Sequence, residues 1–406
     1  MDVFQGVWNM SWPMVQFGEL YAEPSRNGVY KTKEHHGEGV KIVNMGELFA
    51  YDIIDEQEMK RLRMSEAEMN KSGLADGDLL FGRRSLVESG AGKCSLVEGL
   101  SEPTTFESSI IRVRVNESII RPRFVFYWLK SPVGAGRVRA IVTGTNVKGI
   151  RGTVLKTIQV TCPPIDVQDS IISTLSAYDD LIENNRRRIE LLEQAARLLY
   201  REWFVHLRFP GHEHVRIVDG VPEGWGKKPL SEIGNIIMGQ SPKSIYYNEE
   251  GNGLPFHQGV TNFGIRFPSH QTYCTVINRL AEPGDILFSV RAPVGRINIT
   301  PDKIVIGRGL AAIRSNCGQQ NYLFYALKSH FFKEDMMGGG AIFAAITKKD
   351  LHGVELLQAT DRIAEMFIEH IRPIDLQIEN LQQTIDSLSQ ARDLILPRLM
   401  NGEVTV

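Results

Sequence analysis

Residues 171–203 read IISTLSAYDDLIENNRRRIELLEQAARLLYREW. Within them Leu175, Tyr178, Ile182, Asn185, Ile189, Leu192, Ala196, Leu199 and Trp203 fall three and four residues apart in unbroken alternation. Such positions share one face of an α-helix, and a sustained alternation is the seam of a coiled coil. The spacing predicts a single helix of 33 residues, about 50 Å long at roughly 1.5 Å per residue. Shifted by 196 positions, the stripe returns as Ile371, Ile374, Ile378, Leu381, Ile385, Leu388, Arg392, Ile395 and Leu399. Only Arg392 breaks it, and Asn185 is the polar residue of the first stripe; polar seam residues set register at some cost in stability. Two such helices in one chain can bury their stripes on each other, so an antiparallel intrachain pair is expected.

The same repeat extends outward. Gly77-Asp78-Leu79-Leu80-Phe81 recurs as Gly284-Asp285-Ile286-Leu287-Phe288, 207 residues later. Tyr127-Trp128-Leu129-Lys130-Ser131 recurs as Tyr325-Ala326-Leu327-Lys328-Ser329 at an offset of 198. From Gly144 the offset settles at 196, pairing Ile150 with Ile346 and Leu155 with Leu351, and Ile182-Glu183-Asn184 returns unchanged as Ile378-Glu379-Asn380. Trp12 and Glu19 are echoed by Trp225 and Glu232. Drifting offsets mean loops of different length on a shared framework, so the chain reads as two diverged copies of one unit.

Before each helix lie short apolar runs broken by Gly, Pro and Asn, such as 78–81, 109–115, 158–161, 285–290 and 310–314, which read as strands. Helical stretches at 123–130 and 320–328 are mixed in. The class is α+β, with two pseudo-repeated globular parts joined by two long antiparallel coiled-coil helices. The expected division is 1–164 and 209–360 for the globular parts, and 165–208 and 361–406 for the helices.

The 406 residues carry 46 Lys and Arg against 48 Asp and Glu. A uniformly basic nucleic-acid coat is excluded by that balance, but the charges are not spread evenly. Residues 1–164 and 209–360 are each +2, whereas 165–208 is −2 and 361–406 is −4. Residues 112–156 hold ten cations and Glu117 alone; 291–349 hold nine against Asp302, Glu334 and Asp335. Two basic sectors in two copies of one unit suit a duplicated reader touching two sites on a duplex. No run of 18 uncharged apolar residues occurs, and the start MDVFQGVWNMSWPM lacks the pattern of a secretion signal. Cys94, Cys162, Cys274 and Cys317 form no CxxC pair and read as reduced thiols. A cytoplasmic location without membrane contact is expected.

Common catalytic motifs are missing. Gly90-Ala91-Gly92-Lys93 fails as a phosphate loop, because Val87 stands at the first glycine and Cys94 at the magnesium-binding hydroxyl. Cys162-Pro163-Pro164-Ile165 lacks the amide or carboxylate that adenine methyltransferases carry in a similar motif. His212-Glu213-His214 and His35-His36 imply no third metal ligand, and no GxSxG elbow is present. A binding module is favoured over an enzyme.

Several motifs together resemble the DNA-specificity subunit of type I restriction–modification systems over essentially the whole chain. Pro163-Pro164-Ile165 with Gln168 and Ile171 resembles the family's entry into its central helix. Arg201-Glu202-Trp203-Phe204-Val205 with Arg208-Phe209-Pro210-Gly211-His212-Glu213 resembles the helix's end, and Val221-Pro222-Glu223-Gly224-Trp225 the entry into the second recognition domain. Gly144-Thr145-Asn146-Val147-Lys148-Gly149-Ile150 is similar to the loop closing each recognition domain, and Leu396-Pro397-Arg398-Leu399-Met400-Asn401-Gly402-Glu403 to the C-terminal ending. The second copy departs at Gly340-Ala341-Ile342-Phe343-Ala344-Ala345-Ile346, which loses the loop's polar centre, and at Leu357-Gln358-Ala359-Thr360, which replaces the double proline.

The resemblance implies a non-catalytic subunit that binds double-stranded DNA and directs two adenine methyltransferase subunits and the restriction subunits. Each recognition domain would read one half of an asymmetric two-part site. S-adenosylmethionine, ATP and magnesium would be held by those partners, and no cofactor or metal by this chain. Base edges are read by Arg or Lys at guanine and Asn or Gln at adenine. Candidates are Arg83, Arg84, Asn146, Lys148 and Arg151 in the first part, and Arg291, Arg296, Arg308 and Lys348 in the second. Arg186-Arg187-Arg188 reads as a solvated helix face. The alternative is a non-catalytic coiled-coil scaffold with two protein-binding domains; a self-contained nuclease is a third reading.

Overall fold

The structure, a computed structural model, describes residues 12–86, 90–145, 147–331 and 345–404. Contacts divide the chain into two compact units, 1–182 with 386–406, and 183–385. Each long helix is therefore shared between them. The central helix, Ile165–Phe204, and the closing helix, Asp361–Met400, have 40 residues each, about 60 Å apiece. The central helix starts directly after Pro163-Pro164, earlier than the stripe alone indicates.

In the first unit a five-stranded sheet has the order Tyr21–Asn27, Ile110–Val115, Leu79–Gly82, Cys94–Val97, Ile53–Ile54. Its pairs are antiparallel except the last. Leu79–Gly82 is buried on both faces, which is why its sequence is a continuous apolar run rather than an alternating one. Successive side chains of a strand point to opposite faces. Leu79 and Phe81 accordingly join a core with Phe17, Phe124 and Trp128, while Leu80 joins Val43, Leu48, Ile54 and Phe106. The start of the central helix (Ile171, Leu175) and the end of the closing helix (Leu396, Leu399, Met400) complete the first of these cores.

The second unit repeats the plan. A four-stranded antiparallel sheet runs Gly234–Met238, Leu310–Ser315, Ile286–Ser289, Ile297–Ile299. Ile286 and Phe288 face a core with Tyr200, Trp203, Phe204, Phe367 and Ile371, and Leu287 faces the opposite one. Here the end of the central helix and the start of the closing helix supply the helical wall, with Phe204 and Phe367 ring centroids 5.1 Å apart. Entry and exit of each unit are stapled alike: Met14–Gln16 pairs antiparallel with Gln159–Thr161, and Gly226–Pro229 with Glu355–Gln358.

Every stripe residue is buried or half-buried, from Leu175 to Trp203 and from Ile371 to Leu399. Arg392, the one charged residue of the second stripe, is half-buried, and its Nη1 donates to Asp179 at 2.7 Å. Arg186, Arg187 and Arg188 are exposed, and the first two pair with Glu183. Among the described residues no helix is long and apolar enough to cross a membrane.

Candidate nucleic-acid interface

Each unit brings a tight loop against its core strand by the same bonds. In the first, Arg84–Ser85 pairs antiparallel with Lys148–Gly149, setting Arg84 opposite Gly149. In the second, Arg291 bridges Ala345. Arg84 and Arg291 differ by the 207-residue offset of the strands, and Gly149 and Ala345 by the 196-residue offset of the loops. The neighbouring bond repeats as well: Ile150 N–H donates to Arg83 O at 3.1 Å, and Ile346 N–H to Val290 O at 2.9 Å. Arg84 and Arg291 are thus the same position in two copies, and both side chains are exposed.

The frame beneath them is also duplicated. Buried Asp78 accepts from Arg114 Nε and Nη2, both at 2.7 Å, and from Ala75 N–H at 2.8 Å. Asp285 accepts from Arg314 at 2.6 and 2.9 Å and from Glu282 N–H at 2.8 Å. Each carboxylate pins the turn that opens the core strand to the strand beside it. A buried carboxylate satisfied by a forked guanidinium and a backbone donor has its charge compensated on several sides.

The candidates fall into two groups. Arg83, Arg84, Lys148 and Arg151 converge through the Arg84–Gly149 ladder in the first unit. Arg83 is half-buried with Nη1 3.3 Å from Ser108 O, so Arg84, rather than Arg83, is the exposed counterpart of Arg291. Asn146 lies outside the described residues, as do 340–344 of the second closing loop. In the second unit Arg291 and Arg308 line one open cleft of 370 Å³ with Gln258, Thr261 and Ser289. Arg296 closes the same turn that Arg291 opens, its N–H donating to Ser289 Oγ at 2.8 Å, and its own side chain lines a neighbouring cavity. Lys348 is exposed at the start of the short helix Lys348–His352, three residues beyond the Ala345 bridge.

Sequence reasoning missed Gln258 and Thr261, which lie beside Gly259 with no periodic pattern around them. They reach the cleft because Gly309 allows close approach: a Cβ there would sit 2.2 Å from Gln258 O. Next to Gln258, His257 is buried, with Nε2 2.8 Å from His270 Nδ1, and His270 Nε2 is 3.1 Å from Asp302. Burial, and second the charge of His270, lower the His257 imidazole to about 4. It stays neutral at ordinary pH.

Charge needs re-sorting once partners are known. Of the ten cations in 112–156, Arg112, Arg114, Arg121, Arg123 and Lys130 are spent on Glu23, Asp78, Asp169, Glu98 and Asp52. In the second sector Arg314, Lys303 and Lys328 pair with Asp285, Glu282 and Glu193. None of the eight described candidates is in an ion pair with a described residue, and neither are Arg137 and Arg139 of the helix Pro132–Ala140. The Gly90–Lys93 stretch is a turn whose Lys93 Nζ donates to Phe49 O at 2.6 Å. Among the described residues no group of three or more His, Cys, Asp and Glu could hold a metal.

A family model described as the type I restriction modification DNA specificity domain matches residues 12–194 and 222–357. The chain belongs to that family. This specificity subunit is 33% identical to the type I restriction enzyme MjaX specificity subunit of Methanocaldococcus jannaschii over 356 residues, covering 84% of this chain and 82% of the relative. It is 23% identical to the MjaIX specificity subunit of the same organism, covering 93% of this chain and 89% of that one. The crystal structure of the type I restriction–modification S subunit from M. genitalium superposes with a TM-score of 0.55 at 18% identity, covering 97% and 96% of the two chains. That likeness speaks for the shared fold. The two matched segments of the specificity subunit contain both loop clusters described above.

Proposed function

We propose that each unit of this specificity subunit reads one half of an asymmetric two-part DNA sequence through its loop cluster. The supporting observation is the duplicated placement of Arg84 and Arg291, both exposed on the same bridge and neither in an ion pair with a described residue. An exposed guanidinium on a rigid ladder suits a bidentate bond to guanine or a phosphate. Around them, Arg83, Lys148, Arg151, Arg296, Arg308 and Lys348 serve as further phosphate or base contacts. The long helices pair as an antiparallel coiled coil and set the unread gap between half-sites. Their leucines outside the seam, such as Leu191 at 64% and Leu394 at 71% exposure, offer apolar surface to partners. Those partners are two methyltransferase subunits and the restriction subunits, which hold S-adenosylmethionine, ATP and magnesium; this chain is non-catalytic.

The test is binding of the full chain, with Arg84→Ala and Arg291→Ala, to duplexes altered in one half-site at a time. A base contact costs roughly 1–3 kcal/mol, and its loss removes discrimination in its own half only. A phosphate contact weakens all sequences alike and lowers the salt slope by about 0.9. If neither substitution changes binding by as much as twofold at low salt, the proposed interface is wrong. Binding that ignores salt altogether would favour a protein-binding scaffold instead.

A further inference from the structure

The second unit holds a charge cluster that its own duplication does not account for. In the first unit Tyr127 Oη donates to Asp179 at 2.7 Å, and Asp179 is neutralised by Arg392 of the closing helix. At the equivalent place in the second unit Tyr325 Oη donates to Asp375 at 2.7 Å. The helix position matching Arg392 is there Ala196, fully buried and without charge. The cation comes instead from the recognition part: Arg266.

Its guanidinium is 2% exposed and has a partner for every nitrogen. Nε donates to Glu193 of the central helix, Nη1 to Asp375 of the closing helix at 3.0 Å, and Nη2 to Tyr325 Oη at 2.7 Å. The ring of Phe324 lies 4.4 Å beneath it. Lys328 Nζ takes the other oxygen of Glu193 at 2.7 Å, and Asn321 the other oxygen of Asp375. Two cations and two anions cancel, so the cluster can be buried without a stranded charge.

Arg266 sits at the end of the loop that starts with Gln258 and Thr261 in the Arg291–Arg308 cleft. That loop is held at its Arg266 end: Gly264 N–H donates to Phe267 O at 3.0 Å, Asn298 Nδ2 to Gly264 O at 3.1 Å, and Ile299 N–H to Arg266 O at 2.9 Å. Of these bonds, only the Arg266 side chain reaches both long helices.

We propose that Arg266 is a positioning residue that sets the 258–266 loop from the two helices, and so tunes sequence discrimination in the half-site read by the second unit. This rests on the reading of that unit as a DNA reader. A planar fork with three separate acceptors fixes orientation in a way a lysine cannot.

The experiment uses the full chain with Arg266→Met, Arg266→Lys and, as the mildest break, Glu193→Gln. Duplexes altered in each half-site give discrimination ratios, Arg291→Ala identifies the second unit's half, and hydrogen exchange follows amides 258–268. Arg266→Met is expected to lower discrimination roughly tenfold, within the range of one base contact, in that half only. Lysine gives a smaller loss, and exchange rises in the loop. If Met does not fold, the Lys and Glu193→Gln variants carry the same expectation at reduced size. Unchanged discrimination with faster exchange overturns the proposal, and so does an equal loss in both halves, which marks a merely structural residue. A wild-type chain without sequence discrimination would instead sink the DNA-reader reading itself.

Discussion

Replacing Tyr127 and Tyr325 by phenylalanine makes one chemical change at one repeat position in two environments. Tyr127 gives a single bond to Asp179, whose side chain is 32% exposed and keeps Arg392. Water can replace the hydroxyl there, so the cost is that of one ordinary hydrogen bond, about 1 kcal/mol. Tyr325 gives the same bond to Asp375 but also accepts from Arg266, which water cannot reach. Its loss adds about 2 kcal/mol for a buried charged donor without an acceptor, making about 3 kcal/mol in all. Burial pushes both phenols well above their usual range, with Asp179 and Asp375 adding to the rise, so both donate as neutral hydroxyls. Hydrogen exchange in the helices Pro122–Lys130 and Gln320–Phe331 reports each unit separately. Protection should fall roughly fivefold in the first helix for Tyr127→Phe and on the order of a hundredfold in the second for Tyr325→Phe. Equal losses, or a larger loss from Tyr127→Phe, would refute the argument that burial of Arg266 governs the difference.

Two further outcomes follow from the second unit and the thiols. His257, lowered to about 4, takes a proton at its ordinary value of 6.5 once unfolded. Its contribution is therefore complete above pH 6.5 and drains away as pH falls toward 4, by up to about 3 kcal/mol. Urea midpoints for the second unit should drop over that window, and His257→Gln, if it folds, should flatten the drop. Cys317 is exposed whereas Cys274 is buried, and burial raises the Cys94 and Cys162 thiols. Thiol labelling of the native chain at pH 8 should modify Cys317 first, by mass spectrometry, and Cys274 only after unfolding.

Much of the framework was legible because it is periodic. The alternation from Leu175 to Trp203, and its return from Ile371 to Leu399, depends only on helix geometry and needs no knowledge of neighbours. The runs 78–81 and 285–290, bounded by turn residues, were legible as strands for a similarly local reason. Repetition also located both loop clusters, since Gly149 and Ala345 keep their spacing to the long helices. What periodicity carries is which residues are apolar and how often, and that suffices for class, duplication and the buried faces.

Partnership is another matter, because an ion pair joins residues at unrelated separations. Arg112 and Arg84 are both arginines of the first globular part; only folding sets the first on Glu23 and leaves the second exposed without an ion pair to a described residue. The sequence alone therefore determined two copies, two long helices and a basic sector in each globular part. Tertiary structure decided which cations have a described ion-pair partner, that Arg84 corresponds to Arg291, and that Arg266 replaces a helix arginine as the buried counterion. The reason is physical: hydrophobic burial depends on composition along an element, whereas charge compensation depends on distances of a few ångströms between elements.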